Sequence, residues 1–471
     1  MATPTLTAPI VPNFIGGAWQ RPEQNEFWPV HNPSTGEVIG HTPMGSAKTV
    51  DDAVAAALRA YATWSKMPPN SRASIFFNYR QLLEQHFEEL ALLVTKENGK
   101  THDEAKGDVR RGIEIVEFAC GIPHLLKGEA LPQVSDGIDG MTTREPIGVC
   151  AGITPFNFPA MVPLWMFPIA IACGNTFILK PSEKVPLSAV RLAELFQEAG
   201  LPDGVFNIVN GGKDVVDALC THPEIASVSF VGSTAIAKHV YTLGCSTGKR
   251  VQSAGGAKNV LIVMPDAEPD STLKAVMGAA FGCAGQRCMA GSLLLTVGEA
   301  RNFKDQLIGA MDDLRVEDTV ANRSAEMGPL IDGSAQSRVK GWIDRAVGDQ
   351  ASMARDGRVN LPDRGFFVGP TLLDDVRPGM AIFDEEVFGP VLSMTKPKDL
   401  TEAISLAHLS GYGNGASIFT TSGASARQFV REIPCGMLGV NVGVPAPMAL
   451  FAFSGWGNSF FGDLHVQGTE G

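Results

Sequence analysis

The sequence predicts an α/β fold with two doubly wound domains and a small β hairpin that projects from them. Its 471 residues exceed what one hydrophobic core usually holds, which favours two domains. From Val149 onward, short strand-like apolar runs alternate with amphipathic helical stretches, which is the rhythm of a parallel sheet. Before this region, residues 128–150 combine alternating character with an Asp136-Gly137 turn, as is typical of a hairpin.

Apolar spacing predicts the individual elements in chain order. Asn98-Gly99 is a C-terminal stop signal for the helical pattern that precedes it. A second α/β block runs from Ser271 to about Gly443. Helical spacing covers residues 50–64, 71–98, 102–120, 187–199 and 234–243, and strands are predicted at 176–179, 206–209, 227–231 and 260–263.

Composition and charge exclude several classes of protein. A net charge of −12 argues against nucleic-acid binding through a basic face. The eight cysteines show no C-x-x-C and no metal-ligand spacing, so we expect no metal site and a cytoplasmic protein with free thiols. Residues 1–12 lack the features of a secretory leader. The longest apolar stretch, residues 156–179, is interrupted by prolines and is predicted to be buried core rather than a membrane span.

The run Phe281-Gly-Cys-Ala-Gly-Gln-Arg-Cys288-Met-Ala-Gly291 contains the candidate nucleophile. Its three glycines give the backbone the freedom that a tight turn needs. Arg287 places a cation next to the thiol of Cys288, which favours the thiolate. The alternative is a buried, inert cysteine among small residues, and for a lone cysteine that interpretation usually prevails.

Several motifs together make the nucleophile interpretation the stronger one. The chain resembles the aldehyde dehydrogenase superfamily over nearly its whole length, and Gly285-Gln-Arg-Cys-Met-Ala290 is the form found in the methylmalonate-semialdehyde branch, which is CoA-dependent. The motifs follow one another in superfamily order, and they are Asn32-Pro-Ser-Thr-Gly36, Pro155-Phe-Asn-Phe-Pro159, Lys180-Pro-Ser-Glu183, Phe230-Val-Gly-Ser-Thr234, Gly256-Ala-Lys-Asn259, Cys288 and Glu385-Glu-Val-Phe-Gly-Pro390.

The resemblance implies an aldehyde dehydrogenase-like architecture of two Rossmann-like domains and an oligomerisation element. Residues 1–127 and 150–255 would form the NAD-binding domain, residues 256–443 the catalytic domain, and residues 128–149 with 444–471 the oligomerisation element. Family members continue beyond Gly-Asp-Leu-His with a final strand that joins the hairpin, and the printed sequence ends at Gly471. We therefore expect a homo-oligomer, dimer or tetramer, whose oligomerisation sheet lacks that strand.

No G-x-G-x-x-G follows the predicted strands, so other residues must predict a nucleotide site. Lys180 and Glu183 come just after a strand, at the edge where α/β sheets bind ligands, and both can hydrogen-bond a ribose diol. Alone, they would suggest a solvated loop, but the resemblance places both on the adenine ribose. A 2′-phosphate would be repelled by Glu183, so NAD is expected rather than NADP.

Other cofactor-binding residues follow from the resemblance. Ser233, at a helix N-terminus, is expected at the pyrophosphate. Glu386 and Phe388 match the pair that holds the nicotinamide ribose and ring, although Phe388 could instead be a core aromatic. The remaining residues expected at the cofactor are Thr154, Phe156, Lys184 and Gly255.

Two further positions concern the reaction itself. Asn157 is the expected donor to the alkoxide that forms when Cys288 attacks an aldehyde; the alternative is an ordinary turn asparagine. Most hydrolytic superfamily members carry a glutamate where this chain has Ala254. Without that base, water attacks a thioester poorly, whereas a thiol is intrinsically nucleophilic. The missing glutamate therefore predicts transfer of the acyl group to coenzyme A as co-substrate.

Two arginines near the candidate nucleophile and the expected substrate tunnel predict a substrate with a carboxylate. Arg grips carboxylates bidentately, and the expected substrate is a semialdehyde acid held by Arg287 and by Arg111, which lies on the helix that the superfamily places along the substrate tunnel. The alternative for Arg111 is a surface salt bridge, a role for which Arg110 has the stronger claim.

The leading hypothesis is an NAD-dependent, CoA-acylating dehydrogenase. It would convert malonate semialdehyde to acetyl-CoA, or methylmalonate semialdehyde to propionyl-CoA, with loss of CO2. One alternative is a hydrolytic aldehyde dehydrogenase, and another is a catalytically silent structural protein with this fold. The intact Cys288, Asn157, Lys180 and Glu386 argue against the silent protein.

Overall fold

Two large sheets organise the computed structural model, which describes residues 8–21, 26–469 and 471. The first residues of the stretch used to exclude a leader, 1–7, lie outside this range. The strands are β1 (Asn13–Ile15), β2 (Ala18–Gln20), β3 (Phe27–His31), β4 (Val38–Pro43), β5 (Ala130–Ser135), β6 (Ile138–Met141), β7 (Val149–Ile153), β8 (Thr176–Lys180), β9 (Phe206–Ile208), β10 (Ile225–Val231), β11 (Arg250–Ala254), β12 (Asn259–Val263), β13 (Gly291–Thr296), β14 (Ser352–Arg355), β15 (Thr371–Asp374), β16 (Val391–Thr395), β17 (Tyr412–Gly413), β18 (Gly415–Phe419), β19 (Met437–Val440), β20 (Trp456–Gly457) and β21 (Phe460–Phe461).

Helices cover the faces of both sheets. They are α1 (Ala47–Trp64), α2 (Pro69–Gln85), α3 (Phe87–Asn98), α4 (His102–Cys120), α5 (Ile122–Leu125), α6 (Met161–Ala172), α7 (Leu187–Glu198), α8 (Lys213–Thr221), α9 (Thr234–Ser246), α10 (Pro269–Phe281), α11 (Phe303–Asp313), α12 (Gly333–Gly348), α13 (Ala381–Asp384), α14 (Leu400–Ala407) and α15 (Gly423–Glu432).

The first sheet brings together four strand ends that later form the site. Its order is β2-β1-β9-β8-β7-β10-β11-β21, and the five strands from β9 to β11 run parallel. Ile153 pairs with Lys180, and Val231 pairs with Ala254. The carboxyl ends of β7, β8, β10 and β11 therefore lie side by side at one edge, where doubly wound sheets bind ligands.

The second sheet is also mostly parallel. Its order is β14-β15-β16-β13-β12-β18-β19, with only β14 antiparallel to its neighbour. The strand β12 begins at Asn259, a few residues after β11 of the first sheet ends. The loop with Cys288 lies between α10 and β13. The expected fold class, two doubly wound α/β sheets with a hairpin, is therefore present.

The hairpin is shorter than predicted. The strands β5 and β6 pair antiparallel around Asp136-Gly137, where Gly137 has a φ of +71°, whereas the predicted end of the hairpin already belongs to β7 of the first sheet. Leu131 and Met141 are 60% and 77% exposed, so the hairpin presents apolar side chains to the surroundings.

The helices follow their predicted spacing with one break. The predicted helix at 71–98 is divided at His86, whose φ of −100° and ψ of 15° depart from helical values. Gly99 ends α3 with a φ of +87°, as its stop signal predicts. The twelve-residue α6 accounts for much of the apolar stretch and is almost fully buried. Within the described ranges, no helix is long and apolar enough to cross a membrane.

Candidate active site

A cavity of about 850 Å³ lies at the carboxyl edge of the first sheet. Residues of both sheets line it, so strand ends from the first sheet face loops of the second. Eleven of the thirteen predicted site residues contribute to its wall, and these are Thr154, Phe156, Asn157, Lys180, Glu183, Lys184, Ser233, Gly255, Cys288, Glu386 and Phe388.

The loop before Cys288 is tightly turned. Cys283, Ala284 and Gly285 all have left-handed φ values, of 53°, 51° and 68°. A side chain at Gly285 is excluded, because its Cβ would lie 2.1 Å from the carbonyl oxygen of Gly389. Left-handed non-glycine residues are costly and persist only when their surroundings hold them. Here the Glu104 carboxylate accepts the N–H of Cys283 at 2.6 Å.

The backbone of Cys288 is fixed from the second sheet. Its carbonyl oxygen accepts hydrogen bonds from the side-chain amides of Asn259, at 2.8 Å, and Asn414, at 2.9 Å. The thiol is therefore attached to an immobile main chain and opens into the cavity.

Arg287 favours the thiolate of Cys288, as expected, but other groups outweigh it. Burial and, to a lesser degree, the Glu386 carboxylate raise the pKa of this thiol to about 12, while Arg287 lowers it by less. The guanidinium of Arg287 donates to the sulfur of Cys283 at 3.4 Å. Arg287 therefore adjoins Cys288 in sequence, but its hydrogen bond goes to the other cysteine of the loop.

Asn157 also lines the cavity and is buried. Its main-chain carbonyl accepts a hydrogen bond from Lys100 at 2.7 Å. The preceding Phe156 packs edge-to-face on Phe388, with ring centroids 5.9 Å apart. The Asn157 amide and the Cys288 thiol consequently belong to one cavity with an aromatic wall beside them.

Lys180 and Glu183 form an ion pair at one end of the cavity. The Lys180 ammonium lies 2.8 Å from a Glu183 oxygen. Burial pushes the pKa of Glu183 upward, but Lys180 and Lys184 outweigh that effect and leave it below its ordinary value. Lys184 itself pairs with Asp332 at 2.7 Å. Lys180 and Glu183 thus present an ammonium donor and an ionised carboxylate acceptor side by side.

Ser233 precedes α9, whose N-terminus opens on the cavity. No side chain caps the helix, so its first N–H groups and its dipole are available to an anion. The adjoining glycine loop is closely packed, because a Cβ on Gly256 would lie 2.4 Å from a Glu386 oxygen.

Glu386 is a further carboxylate in the cavity wall. Its carboxylate accepts the N–H of Ala257 at 3.0 Å, and burial raises its pKa to about 7. Arg338 also lines the cavity and donates to the carbonyls of Val387 and Phe388. Sequence reasoning missed Arg338, because α12 contains no motif that signals a site.

Ala254 occupies the end of β11 and is 1% exposed. Three carboxylates line the cavity among the described residues, namely Glu183, Asp217 and Glu386. Glu183 pairs with Lys180, and Asp217 pairs with Lys213 and His239. Glu386, held by Ala257, is the carboxylate that perturbs Cys288.

The two arginines predicted for the substrate lie elsewhere. Among the described residues that line the 850 Å³ cavity, neither Arg111 nor Arg287 is present. Arg287 lines a second cavity, of about 460 Å³, together with Glu104 and Phe281. Arg111 pairs with Glu114 at 2.9 Å and is 40% exposed, while Arg110 pairs with Glu84. Their role toward a substrate stays a prediction.

Comparison with known proteins identifies relatives along the whole chain. The family model described as the aldehyde dehydrogenase family matches residues 19–471. Malonate-semialdehyde dehydrogenase 2 of Geobacillus kaustophilus is 50% identical over 462 residues, which cover 98% of this chain and 95% of the relative. Malonate-semialdehyde dehydrogenase 2 of Bacillus cereus is 52% identical over 471 residues, 99% of this chain and 96% of the relative.

Solved structures show the same similarity. The methylmalonate-semialdehyde dehydrogenase of Oceanimonas doudoroffii superposes with a TM-score of 0.96 at 46% identity, covering 98% of this chain and 95% of that one. A Sinorhizobium meliloti 1021 protein assigned as a methylmalonate-semialdehyde dehydrogenase, solved in complex with NAD, gives a TM-score of 0.97 at 45% identity with the same coverage. The predicted superfamily resemblance and fold class are confirmed.

Proposed function

The chain belongs to the aldehyde dehydrogenase family, and on that premise we propose that it oxidises malonate semialdehyde or its 2-methyl derivative with NAD and transfers the acyl group to coenzyme A. Carbon dioxide is lost on the way, so the products are acetyl-CoA and propionyl-CoA. The observation that carries the proposal is the cavity that both Cys288 and Asn157 line while position 254 holds an alanine. The relatives named as malonate-semialdehyde dehydrogenases support the substrate class.

The residues in the cavity wall fit NAD. Lys180 and Glu183 offer a donor and an acceptor to a ribose diol, and the uncapped start of α9 at Ser233 suits a diphosphate. Glu386 and Phe388 stand where the second ribose and the nicotinamide would lie, and Thr154, Phe156, Lys184 and Gly255 complete the wall. When bound, NAD accepts the hydride. Glu183 would repel a 2′-phosphate, so NAD rather than NADP is the cofactor.

Cys288 forms the covalent intermediate. Burial raises the pKa of its thiol to about 12 in the resting protein, so the positive charge of bound NAD would favour ionisation, and the thiol proton would pass to solvent before the attack. The thiolate sulfur then adds to the aldehyde carbon, and the resulting alkoxide accepts hydrogen bonds from the Asn157 amide and the Cys288 N–H. Hydride loss from the adduct then leaves a thioester on Cys288.

Release of the acyl group requires a nucleophile other than water. The glutamate that activates water in hydrolytic members is replaced by Ala254. A thiol has a pKa of about 8.5 and is a few per cent thiolate at neutral pH, so CoA can attack without a base at this position. The CoA sulfur bonds to the acyl carbon as the Cys288 sulfur leaves.

We place the loss of CO2 between acylation and CoA attack. The thioester then carries a carboxylate β to its carbonyl, and breaking that C–C bond releases CO2 and sends an electron pair into an enolate whose oxygen is stabilised by the Asn157 amide and the Cys288 N–H. A proton from solvent then adds to the enolate carbon and gives the acetyl or propionyl thioester. Arg111 and Arg287 lie outside the described lining of the 850 Å³ cavity, and a carboxylate held by them would be stabilised in its ground state, which would oppose its loss. The arginines therefore serve mainly to select the substrate.

Two further proposals concern assembly and location. The apolar side chains exposed on the hairpin at β5 and β6 support a homo-oligomer whose oligomerisation element consists of residues 128–149 and 444–471. The rest of the chain would form an NAD-binding unit, residues 1–127 and 150–255, and a catalytic unit, residues 256–443. All eight cysteines are free in the described part of the chain, which supports the reducing environment of the cytoplasm.

A hydrolytic dehydrogenase is the second candidate. Glu386 favours it, because a carboxylate with a pKa of about 7 is suited to general-base catalysis. Its hydrogen bond to Ala257 and its expected place at the ribose argue against that role. Dependence of steady-state turnover on CoA separates the two candidates.

We expect Arg111→Leu to raise the KM for the semialdehyde acid about tenfold and to spare propanal. A lost charge-assisted hydrogen bond costs about 1.5–3 kcal/mol, and the partial exposure of Arg111 places the effect at the lower end. Steady-state kinetics with both aldehydes measure it. Arg110→Leu, which breaks the pair with Glu84, is the matched control and should leave both KM values unchanged. An equal loss for both aldehydes in Arg111→Leu would show a structural role.

We expect NAD to bind more tightly as the pH rises from 6 to 8. The pKa of Glu386 is about 7, so its carboxylate is mostly protonated at pH 6 and mostly ionised at pH 8, and the ionised form is the stronger acceptor for ribose hydroxyls. Fluorescence titration of NAD across this range measures the change. Glu386→Gln should bind weakly with little pH dependence; an unchanged pH profile in this variant would assign the effect to another group.

A further inference from the structure

We propose that Asn98 and Lys100 are positioning residues that fix the backbone of Asn157 and thereby aim its amide at the reacting oxygen. This inference rests on the proposed role of Asn157 as oxyanion donor. Neither residue lines the 850 Å³ cavity among the described residues, so both act on the site through residues 156–158, which they contact.

The contacts fall on the two peptide groups that flank Asn157. The side-chain amide of Asn98 donates to the carbonyl of Phe156 at 2.9 Å, and the ammonium of Lys100 donates to the carbonyl of Asn157 at 2.7 Å. Because each peptide group is planar, holding both planes sets the φ and ψ angles of Asn157. The direction of its Cα–Cβ bond, and hence the reach of its amide, follows from these angles.

A buried ion pair supports the Lys100 contact. The side chains of Lys100 and Asp108 are both 0% exposed and lie 2.8 Å apart. The other oxygen of Asp108 accepts the N–H of Met161 at 2.7 Å, at the start of α6. The pair thus holds the loop from Asn157 to Met161 at both ends. A buried ion pair adds little net stability. The contacts of this pair with the loop therefore indicate that it fixes the conformation of the loop rather than stabilising the fold.

The turn that presents the two side chains is itself anchored. Asn98 ends α3, and Gly99 reverses the chain with a φ of +87°, so that Asn98 and Lys100 both reach the same loop. The Gly99 carbonyl accepts a hydrogen bond from Thr319 at 3.0 Å, and a Cβ on Gly99 would lie 2.9 Å from Pro329. The turn is therefore fixed against the part of the chain that forms the second sheet.

Substitutions at the residues that position Asn157 should therefore weaken its hydrogen bond to the reacting oxygen even though Asn157 itself is unchanged. An oxyanion donor must lie close to the position of the developing charge, and a shift of about 1 Å can cost a factor of about 10² in rate. Releasing either flanking peptide should therefore slow the step that forms or uses the alkoxide, while the binding of NAD, which relies mainly on Lys180, Glu183 and Glu386, stays close to wild type.

The test is a mutant cycle that measures the rate of the NADH burst with full-length enzyme, NAD and malonate semialdehyde. Lys100→Met combined with Asp108→Leu removes both charges, so that no unpaired buried charge remains. We expect this pair of substitutions to slow the burst at least about tenfold with NAD affinity within about twofold of wild type. Asn157→Ala should slow it about 10²–10³-fold, and adding the pair to Asn157→Ala should slow it by no more than about twofold further, because coupled sites are not additive.

Two further variants keep the test decisive. Asn98→Ala removes the other contact without touching a charge, and it replaces the Lys100–Asp108 variant in the cycle if that variant does not fold. Lys249→Met is the matched control. Lys249 is also buried and donates to the main-chain carbonyls of His222 and Ile225, but it is not among the described residues that line the 850 Å³ cavity. This substitution should therefore leave the rate of the NADH burst unchanged. Multiplied effects in the combined variant would overturn the inference. An unchanged burst in Asn157→Ala would overturn the proposed oxyanion role, and this inference with it.

Discussion

Cys288→Ala is expected to abolish NADH formation and to leave NAD affinity within a few-fold of wild type. The sulfur of Cys288 makes the covalent bond to the substrate, and without it no adduct exists from which a hydride can leave. The cofactor is held mainly by Lys180, Glu183 and Glu386, which the substitution does not touch. NADH absorbance measures turnover, and fluorescence titration measures NAD binding.

Cys283→Ala is the matched control for this experiment. Cys283 lies in the same loop and contacts Arg287, but it is not among the described residues that line the 850 Å³ cavity. Cys283→Ala should therefore keep turning over. Turnover by Cys288→Ala, or loss of turnover only in Cys283→Ala, would contradict the assignment of the nucleophile.

Asn157→Ala is expected to slow hydride transfer by about 10²–10³-fold, the usual effect of removing one oxyanion donor. The loss should appear in the rate of the NADH burst rather than in the KM, because the amide is engaged only when charge develops on the oxygen. The release of CO2 should slow as well, since the enolate places its charge on the same oxygen. Stopped-flow absorbance measures the burst, and trapping of labelled CO2 measures the second step.

A rise in KM with an unchanged burst would contradict this account of Asn157. It would indicate that the amide binds the aldehyde equally in the ground state and in the transition state. Asn157→Asp is an informative companion, because its carboxylate keeps the size of the side chain but repels a developing alkoxide. It should be at least as slow as Asn157→Ala.

Local sequence signals predicted the framework of the site well. The helix α4 lies where its apolar spacing places it, and the Thr101 and Glu104 side chains form its capping box. Gly99 ends α3 in the left-handed conformation, and the predicted strands β8 and β10 bring their carboxyl ends to the same edge of the first sheet. These features depend on residues close in sequence or on the general geometry of parallel sheets, so pattern and motif are sufficient to predict them.

Features that depend on burial and on distant neighbours were not predictable. Arg287 was expected to favour the thiolate of Cys288 because it is adjacent in sequence, and it does, but burial and Glu386 outweigh it in the pKa of the thiol. Arg338 and Lys100 enter the site through long-range contacts and belong to no motif that sequence reasoning used. The break at His86 likewise has no strong local signal, since the apolar spacing continues through it.

The central claim, transfer of the acyl group from Cys288 to CoA, is tested most directly by NADH production from malonate semialdehyde with and without CoA. The account predicts a single burst of about one NADH per Cys288 without CoA and sustained turnover with it, together with acetyl-CoA as the product in mass spectrometry. Malonyl-CoA as the product would contradict the proposed order of CO2 loss. Equal steady-state turnover without CoA would contradict the central claim and identify the protein as a hydrolytic dehydrogenase.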